Sequence, residues 1–595
     1  MLSLMETVVR REDLVSVALG KKAADLVIKN GKLIDVFSGE IRPADVAIKG
    51  ERIALVGNAD HTIGENTTVI DAKGFFLSPG LMDTHIHIEA SMVTPTQFAR
   101  AVLPKGNTAV MWETLWTANV LGVRGIKLLL EECNKTPLKF FATATQGVPC
   151  APTHLITSGH EFSIDDIEEI LEWEQIVGLG EVVWFNEVLK NDHRVHEQIQ
   201  LAIKKGKTVD GSSPGFMGKN LNAYVAAGVQ SDHEAITLEE AIDRIRLGMR
   251  LVIREGASMR NLNNLIRVIT EKKLETRRCC FCVDDKDIRE IEKEGLIDDL
   301  VRKAIKAGVN PVVAVQMGSL NSAEYFGVDR DIGGIAPGRI ADILLIDNLE
   351  EFLVRKVIVN GKVIAEDGKL VIDMPPTTYP EWAVKTVRVK RAITPDDFVY
   401  KTDRKNETKV RVIKVTGEQI ISVEEIETLV VEAGEILQNL TKDILKLVVI
   451  ERHGKTEPNI AKGFIRGFGF TQGAIATSIA PDVHQIIVVG ASEDDISQAV
   501  NRLIELQGGI VICKNGEILA DLSLPLAGLM SPEPYKKVIA DLDKINKAAK
   551  EIGCDLPSPL MTLVFVGCPG LIELKLSDKG LIDVVNGKLV PLEIE

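Results

Sequence analysis

Long apolar runs and an excess of positive charge are missing from this chain of 595 residues, and aromatic residues are sparse, at 5%. No stretch of 18 or more uncharged apolar residues occurs, so we expect no membrane-spanning helix and no membrane partner. Residues 1–20 mix acidic and basic side chains with apolar ones, which predicts a leading amphipathic helix and no signal peptide. A formal net charge of −15 predicts no nucleic-acid partner, because phosphate binding needs a basic patch.

Cysteine is also scarce, and eight residues in a chain of this length do not make a disulfide framework. Three of them, Cys279, Cys280 and Cys282, cluster in RRCCFCVDD. A thiolate zinc site would need a second cysteine pair at suitable spacing, which the sequence does not supply. We therefore interpret the three as buried strand residues. Free cysteines fit a reducing cytoplasm, where we expect the protein to reside.

The chain contains two stretches of similar hairpin texture on either side of a long middle. Apolar and polar residues alternate over 24–57, with predicted turns at Asn30-Gly31 and Lys49-Gly50, and the pattern returns at 338–370. We infer one small β-sandwich domain built from both flanks. A proline-rich patch at 374–382 then marks the start of a third unit. The predicted small β-sandwich domain covers residues 1–79 together with 331–385. The predicted middle domain covers 80–330, and the predicted C-terminal domain covers 386–595.

The middle domain alternates eight short apolar runs with helical stretches. This alternation is typical of a (β/α)8 barrel of TIM type, whose active site lies at the carboxyl ends of the strands. The predicted fold class is therefore α/β: a (β/α)8 barrel, a small β-sandwich domain and a C-terminal α/β domain. The predicted strand ends carry His85, His87, Glu113, Glu181, Ser212, His233 and Asp284.

The stretch LMDTHIHIEAS gives the clearest chemical signal. Strand alternation puts His85 and His87 on one face, so both imidazoles can bind the same metal ion. Glu181 lies among apolar residues, where an unpaired carboxylate is costly, and His233 and Asp284 end two further runs. A salt-bridged glutamate or a helix cap would explain these residues singly. Five such residues at the strand ends of one barrel predict a metal centre and metal-assisted hydrolysis.

Longer motifs resemble a known family. The matching stretches include PGLMDTHIHIEAS, VDGSSPG, LNAYVAAGVQSDHEA, CFCVDD and, in the C-terminal part, KGFIRGFGFTQGAIATS. They are similar to the amidohydrolase superfamily and, more closely, to its adenine deaminases, over nearly the whole chain. The resemblance implies hydrolysis of adenine to hypoxanthine and ammonia. It also implies a small-molecule purine partner, a homo-oligomer, and one or two divalent ions, with manganese first and iron or zinc as alternatives.

The same resemblance implies a role for each strand-end residue. The two histidines of the H-x-H motif are first-strand metal ligands, and Glu181 is the carboxylate that can bridge two ions. His233 is the sixth-strand histidine, and Glu234 beside it meets the purine ring. Asp284 is both a ligand and a proton carrier. The predicted catalytic residues are therefore His233, Glu234 and Asp284, and no further cofactor is expected.

The chain departs from the family pattern on one side of the predicted site. Leu115 and Trp116 replace the histidine and glutamate of D-P-H-E, Ser212 replaces the histidine of G-H-A-P-G, and Pro481 replaces a histidine of A-H-D-S-H. Leucine and serine do not substitute for imidazole as ligands. Two interpretations stay open: an adenine deaminase, or a divergent amidohydrolase with an altered substrate or reduced activity. A cytidine-deaminase-type zinc enzyme, suggested by HIE at 87–89, is excluded because P-C-x-x-C is missing.

Overall fold

The computed structural model describes residues 9–415, 422–570 and 573–594. The first eight residues of the predicted leading helix lie outside these ranges, and the described helix α1 covers Arg11–Ala18. Within the described ranges, no helix has both the length and the apolar character needed to cross a bilayer.

Five strands follow α1 in the N-terminal flank. They are β1 (Leu26–Asp35), β2 (Glu40–Lys49), β3 (Arg52–Gly57), β4 (Thr68–Asp71) and β5 (Phe76–Pro79). The predicted turn at Lys49-Gly50 joins β2 to β3. The predicted turn at Asn30-Gly31 is wrong, because these residues lie inside β1 at an irregularity in its pairing with β2.

The middle of the chain alternates eight short strands with helices. The strands are β6 (Leu81–Ile86), β7 (Asn107–Glu113), β8 (Lys139–Ala144), β9 (Ile176–Val182), β10 (Thr208–Gly211), β11 (Ser231–Asp232), β12 (Arg250–Arg254) and β13 (Cys279–Cys282). The helices are α2 (Pro95–Val102), α3 (Leu115–Cys133), α4 (Ile164–Leu171), α5 (Phe185–Leu189), α6 (His193–Lys204), α7 (Gly218–Ala226), α8 (Leu238–Arg246), α9 (Leu262–Leu265), α10 (Arg267–Thr270), α11 (Ile288–Glu294), α12 (Ile297–Lys306), α13 (Pro311–Met317) and α14 (Leu320–Tyr325).

The helices of this region begin where the sequence supplies caps. Ser163 and Thr237 accept hydrogen bonds from the third residue of α4 and α8, and that residue, Asp166 or Glu240, bonds back to the cap. Such reciprocal boxes satisfy backbone donors that a helix leaves free at its start. The helices then present apolar faces to the strands, as α4 does with Ile167.

The eight middle strands pair in parallel, with β6 to β10 in one sheet and β11 to β13 in another. Backbone hydrogen bonds join the two sheets at both edges. Gln230 N donates to Val209 O at 2.9 Å, near the ends of β10 and β11. Asp284 N, just after β13, donates to His85 O at 3.0 Å, and His87 N donates to Asp284 O at 2.8 Å. These bonds place the end of the last strand against the end of the first.

Four strands after the middle region return to the first sheet: β14 (Ile343–Ile346), β15 (Val354–Val359), β16 (Lys362–Glu366) and β17 (Lys369–Leu370). β14 pairs antiparallel with β5, so that strands from both flanks share one nine-stranded sheet. One face of this sheet buries aliphatic side chains, including Val46, Leu77 and Ile343.

The C-terminal part is an α/β unit with a ten-stranded sheet of mixed direction and a separate three-stranded sheet over residues 574–590. Its helices are α15 (Glu381–Val384), α16 (Glu493–Glu505), α17 (Tyr535–Glu551) and α18 (Pro559–Val564). Its strands are β18 (Asn406–Lys414), β19 (Val423–Glu432), β20 (Glu435–Ile436), β21 (Ile444–Ile450), β22 (Ile460–Arg466), β23 (Ala474–Thr477), β24 (Ile486–Gly490), β25 (Gly509–Lys514), β26 (Glu517–Ser523), β27 (Leu574–Ser577), β28 (Gly580–Asp583), β29 (Lys588–Val590) and β30 (Glu593–Ile594).

This C-terminal unit packs on loops that follow the middle strands. Ser531 N donates to Met92 O at 2.9 Å in the loop after β6. Gln485 Nε2 donates to Thr157 O at 2.7 Å, and Ser577 Oγ to Leu155 O at 2.6 Å, in the loop after β8. The segment between β23 and β24 thereby lies beside the strand ends. Over the described residues the fold is α/β with parallel and mixed sheets, which agrees with the predicted α/β class.

Candidate metal centre

The five predicted metal ligands form one buried cluster where the middle strands end. The exposed fraction of each lies between 3% and 6%: His85, His87, Glu181, His233 and Asp284. Two overlapping triads have all their ligand atoms within 4.8 Å of one another. The triads are His85–His233–Asp284 and His85–His87–Glu181. Both triads contain His85, so the two sets of ligand atoms adjoin each other.

The nitrogen and oxygen atoms of the cluster fit a divalent metal. His85 Nε2 is buried and has no hydrogen-bond partner among the described residues. His87 Nε2 lies 3.4 Å from Glu181 Oε1, and His233 Nε2 lies 3.4 Å from Glu181 Oε2 and 3.3 Å from Asp284 Oδ2. These separations exceed the usual N–H···O range. Imidazole and carboxylate atoms that converge without bonding are donors suited to zinc, manganese or iron.

The cluster attracts positive charge. Burial raises the pKa of Glu181, but the adjacent His87 ring and the charges of the three histidines lower it to about 2. Burial lowers the pKa of His87, but Glu181 and Asp284 raise it to about 9. In contrast, burial and the nearby His233 lower the pKa of His85 to about 3, so this ring is neutral. A metal cation would satisfy the carboxylates while the imidazoles bind in their neutral form.

Sequence reasoning missed Arg254, which ends β12 inside the site. Its Nη1 lies 2.6 Å from Asp284 Oδ2 and donates to Glu234 Oε1 at 3.0 Å, while Nη2 donates to Asp285 Oδ1 at 2.7 Å. Arg254 is buried, with 2% of its surface exposed. Glu234 also lies 3.3 Å from His233 Nε2, so it borders the ligand cluster. The position of Arg254 at the end of the seventh apolar run was the available signal.

Glu113, at the end of β7, is a second acid beside the ligands. Thr143 Oγ1 donates to its Oε2 at 2.5 Å, and its Oε1 is buried without a hydrogen-bond partner in the described part of the chain. Burial and the charge of Glu181 raise its pKa to about 8.

Three positions where the family has metal-site residues carry leucine, tryptophan and serine here, which offer neither imidazole nor carboxylate. Leu115 is fully buried, and Ser212 N donates to Tyr224 Oη at 3.1 Å. The Trp116 indole stacks on His87, with ring centroids 4.9 Å apart and planes 17° apart. Its Nε1 donates to Asp482 Oδ1 at 3.1 Å, in the C-terminal unit just after Pro481.

Glu89, the acid of the HIE motif, has a structural role. It accepts hydrogen bonds from Trp112 Nε1 at 3.1 Å, from Thr117 N at 3.0 Å and from Thr117 Oγ1 at 2.5 Å. One oxygen thus holds the start of α3 through Thr117, and the other holds the Trp112 side chain of β7. This arrangement agrees with the exclusion of a cytidine-deaminase-type site.

The fold and the cluster define an enzyme of the amidohydrolase class. Residues 76–364 match the amidohydrolase family model, and residues 419–588 match the model of the adenine deaminase C-terminal domain. The adenine deaminases of Moorella thermoacetica and Kosmotoga olearia are 41% and 40% identical to this chain. Each alignment covers 98% of this chain. It covers 97% of the Moorella thermoacetica protein and 99% of the Kosmotoga olearia protein. The chain therefore belongs to the adenine deaminase family, which confirms the resemblance of its motifs.

Solved structures with low sequence identity were also found. The β-aspartyl dipeptidase of Fervidobacterium islandicum is 17% identical with a TM-score of 0.44, covering 58% of this chain and 98% of that one. The dihydropyrimidinase of Brevibacillus agri is 15% identical with a TM-score of 0.46, covering 58% and 96%.

Proposed function

We propose that this chain hydrolyses adenine to hypoxanthine and ammonia at one divalent metal ion. The observation that carries the proposal is the cluster of three imidazoles and two carboxylates, in a chain 41% identical to an adenine deaminase over nearly its full length. The net reaction replaces the amino group on C6 of the purine by oxygen from water. A bound cation supplies Lewis-acid activation of that water molecule.

The ligands of the ion would be His85, His87, Glu181, His233 and Asp284. A count of one ion is supported by the sharing of His85 between the two triads. It is also supported by the side chains at positions 115, 116 and 212, which offer leucine, tryptophan and serine instead of imidazole or carboxylate. The mixed nitrogen and oxygen set suits manganese, with iron and zinc as alternatives.

Asp284 is proposed to carry the proton. Burial raises its pKa, but Arg254 and His233 hold the pKa below the usual range, so the carboxylate is ionised and can accept a proton from water. It would then return the proton to the departing amino group, which leaves as ammonia. His233, 3.3 Å from Asp284 Oδ2, would hold the carboxylate during both transfers. Glu234, fixed by Arg254, would contact the purine ring.

The proposed architecture is a closed (β/α)8 barrel over 80–330. The backbone hydrogen bonds at both sheet edges support closure. The nine-stranded sheet supports a domain from 1–79 and 331–385, with 386–595 as the third domain. A cytoplasmic location is supported by eight unpaired, buried cysteines. Self-association is supported by exposed apolar side chains on β19, such as Ile426 and Val430.

The test is adenine turnover by the full-length protein. We expect metal-loaded protein to form hypoxanthine and ammonia in equal amounts, chelation to stop both, and added manganese to restore both. Release of ammonia from another aminopurine, with adenine untouched, would instead support the divergent amidohydrolase. That alternative is favoured by Trp116, whose indole fills space against His87.

A further inference from the structure

We propose that Trp116 and Asp482 are positioning residues for the metal ligand His87, so that the C-terminal unit completes the metal centre. The inference rests on the metal site of the proposed function and not on its substrate. It assigns a task to a contact between residues 366 positions apart in the chain.

His87 lacks the support that a metal-binding histidine ordinarily has. Such a histidine usually donates its second ring N–H to a carboxylate, a carbonyl or water, and this bond fixes the ring. His87 Nε2 faces Glu181, but Nδ1 is buried and has no hydrogen-bond partner among the described residues. Some other contact must therefore hold the plane of this ring.

The contact that the structure provides is the face of Trp116. The two rings are nearly parallel, with planes 17° apart and centroids separated by 4.9 Å. Trp116 is itself only 2% exposed, so neither ring can tilt without disturbing its packing. An aromatic stack of this kind fixes ring orientation in place of a hydrogen bond.

The position of Trp116 depends in turn on the C-terminal unit. Its Nε1 donates to Asp482 Oδ1 at 3.1 Å, and the His484 ring meets the indole at 5.0 Å with planes 63° apart. The second oxygen of Asp482 accepts a bond from Cys568 Sγ at 3.7 Å. The Asp482 carboxylate is thus held on both sides. A chain of direct contacts runs from Cys568 through Asp482 and Trp116 to His87.

The segment that carries Asp482 is anchored from both directions. Gln485 Nε2 reaches Thr157 O at 2.7 Å, and Gln485 Oε1 accepts from Arg452 N at 2.8 Å. Arg452, which is fully buried, also bonds the His484 carbonyl through Nε. The acceptor for the indole is therefore placed by rigid neighbours.

The experiment measures zinc affinity of the full-length protein without any purine. Chelated protein is titrated with Zn²⁺ in competition with a chromogenic chelator. We expect Trp116→Leu and Asp482→Leu each to raise the Kd for Zn²⁺ about tenfold, since loss of a residue that orients a ligand costs about 10- to 100-fold. Asp482→Asn keeps an oxygen acceptor, so its Kd for Zn²⁺ should stay within about threefold of the parent value. Unchanged Zn²⁺ affinity in both leucine variants would overturn the proposal.

A matched control separates positioning from general packing. Trp112 is also buried, and its Nε1 donates to a carboxylate, that of Glu89, but it does not stack on a ligand. Zn²⁺ should change the tryptophan emission of the parent and of Trp112→Phe, and this change should be lost in Trp116→Phe. If a leucine variant does not fold, the emission test on Trp116→Phe takes its place. An undiminished change in Trp116→Phe contradicts the proposal.

The outcome can be told apart from failure of the proposed function. Protein that binds Zn²⁺ with the expected pattern of variants but leaves adenine intact would refute adenine deamination alone. Protein that deaminates adenine but binds Zn²⁺ equally well in every variant would refute the positioning role alone.

Discussion

Replacing Arg254 by methionine should destabilise the metal-free protein strongly. Arg254 is 2% exposed, and its guanidinium is the direct partner of Glu234, Asp284 and Asp285, at 3.0, 2.6 and 2.7 Å. Methionine has a similar length but no charge, so the substitution leaves these buried carboxylates without their cation. Removal of one partner from a buried ion pair costs about 3–5 kcal/mol.

Arg260 gives a control with the same substitution in the same region. It pairs with Glu290 and Glu294, both at 3.0 Å, but its side chain is 38% exposed. Water screens such pairs, which contribute about 0–1 kcal/mol. Arg260→Met should therefore change the free energy of unfolding by less than about 1 kcal/mol.

The assay is urea unfolding of chelated protein, read as the midpoint and slope of the transition. Arg254→Met should lower the midpoint several times more than Arg260→Met. An equal effect of the two substitutions would refute the reasoning, because it would mean that the buried carboxylates do not depend on the Arg254 charge. Arg254→Lys, which keeps the charge but not the forked geometry, should fall between them.

Three further predictions follow from the same structure. His87→Ala should lower the metal content of purified protein at least about tenfold, whereas His196→Ala on α6 should retain it; equal metal content, by elemental analysis, would contradict the ligand assignment. Glu89→Gln should cost about 1–3 kcal/mol of stability by weakening the bonds that its carboxylate accepts, with turnover per metal-loaded chain little changed. A severe loss of turnover in a folded, metal-loaded variant would give Glu89 a chemical role instead. Burial raises the pKa of Glu294, but Lys286 and its other neighbours lower it to about 2. The stabilisation from ionised Glu294 is thus complete above about pH 5 and is lost as the pH falls through about 2. The difference in free energy of unfolding between the parent and Glu294→Gln should therefore shrink to zero over that range. A difference that stays constant with pH would count against the ion pair.

Strand positions in the middle region could be predicted because short buried apolar runs leave a local signal. The run NTAVMWE coincides with β7, Asn107–Glu113. The run GVQSDHE contains only the two-residue strand β11, because Gly228 belongs to the turn that follows α7, and Val229 and Gln230 lie in the connection before the strand. Local pattern gives the presence of an element better than its ends.

The Asn30-Gly31 pair shows where local pattern fails. An Asn-Gly pair favours a hairpin turn, yet β1 continues through it. A Cβ on Gly31 would lie 2.4 Å from Leu77 Cδ1, in a residue of the neighbouring strand β5. The glycine is needed here for close approach of two strands, a requirement that belongs to tertiary packing.

The site residues that lie at the ends of the middle strands could be predicted from the sequence. His85, His87, Glu181, His233 and Asp284 come together because the ends of parallel strands meet, which the alternation of runs implies. The contacts made through Arg254 and between Trp116 and Asp482 depend instead on side-chain packing across distant segments. The position of Arg254 at a strand end was a local signal, but the sequence does not show which carboxylates it meets.

The most direct test of the central claim is adenine turnover titrated against bound metal. Chelated full-length protein receives increasing Mn²⁺, and ammonia release and metal per chain are measured on the same samples. The account predicts that ammonia release rises with metal content and levels off at about one ion per chain, since the two triads share His85 and positions 115, 116 and 212 offer no further imidazole or carboxylate. Absence of ammonia at every metal content would contradict the proposed function, and activity only at two ions per chain would contradict the single-metal site.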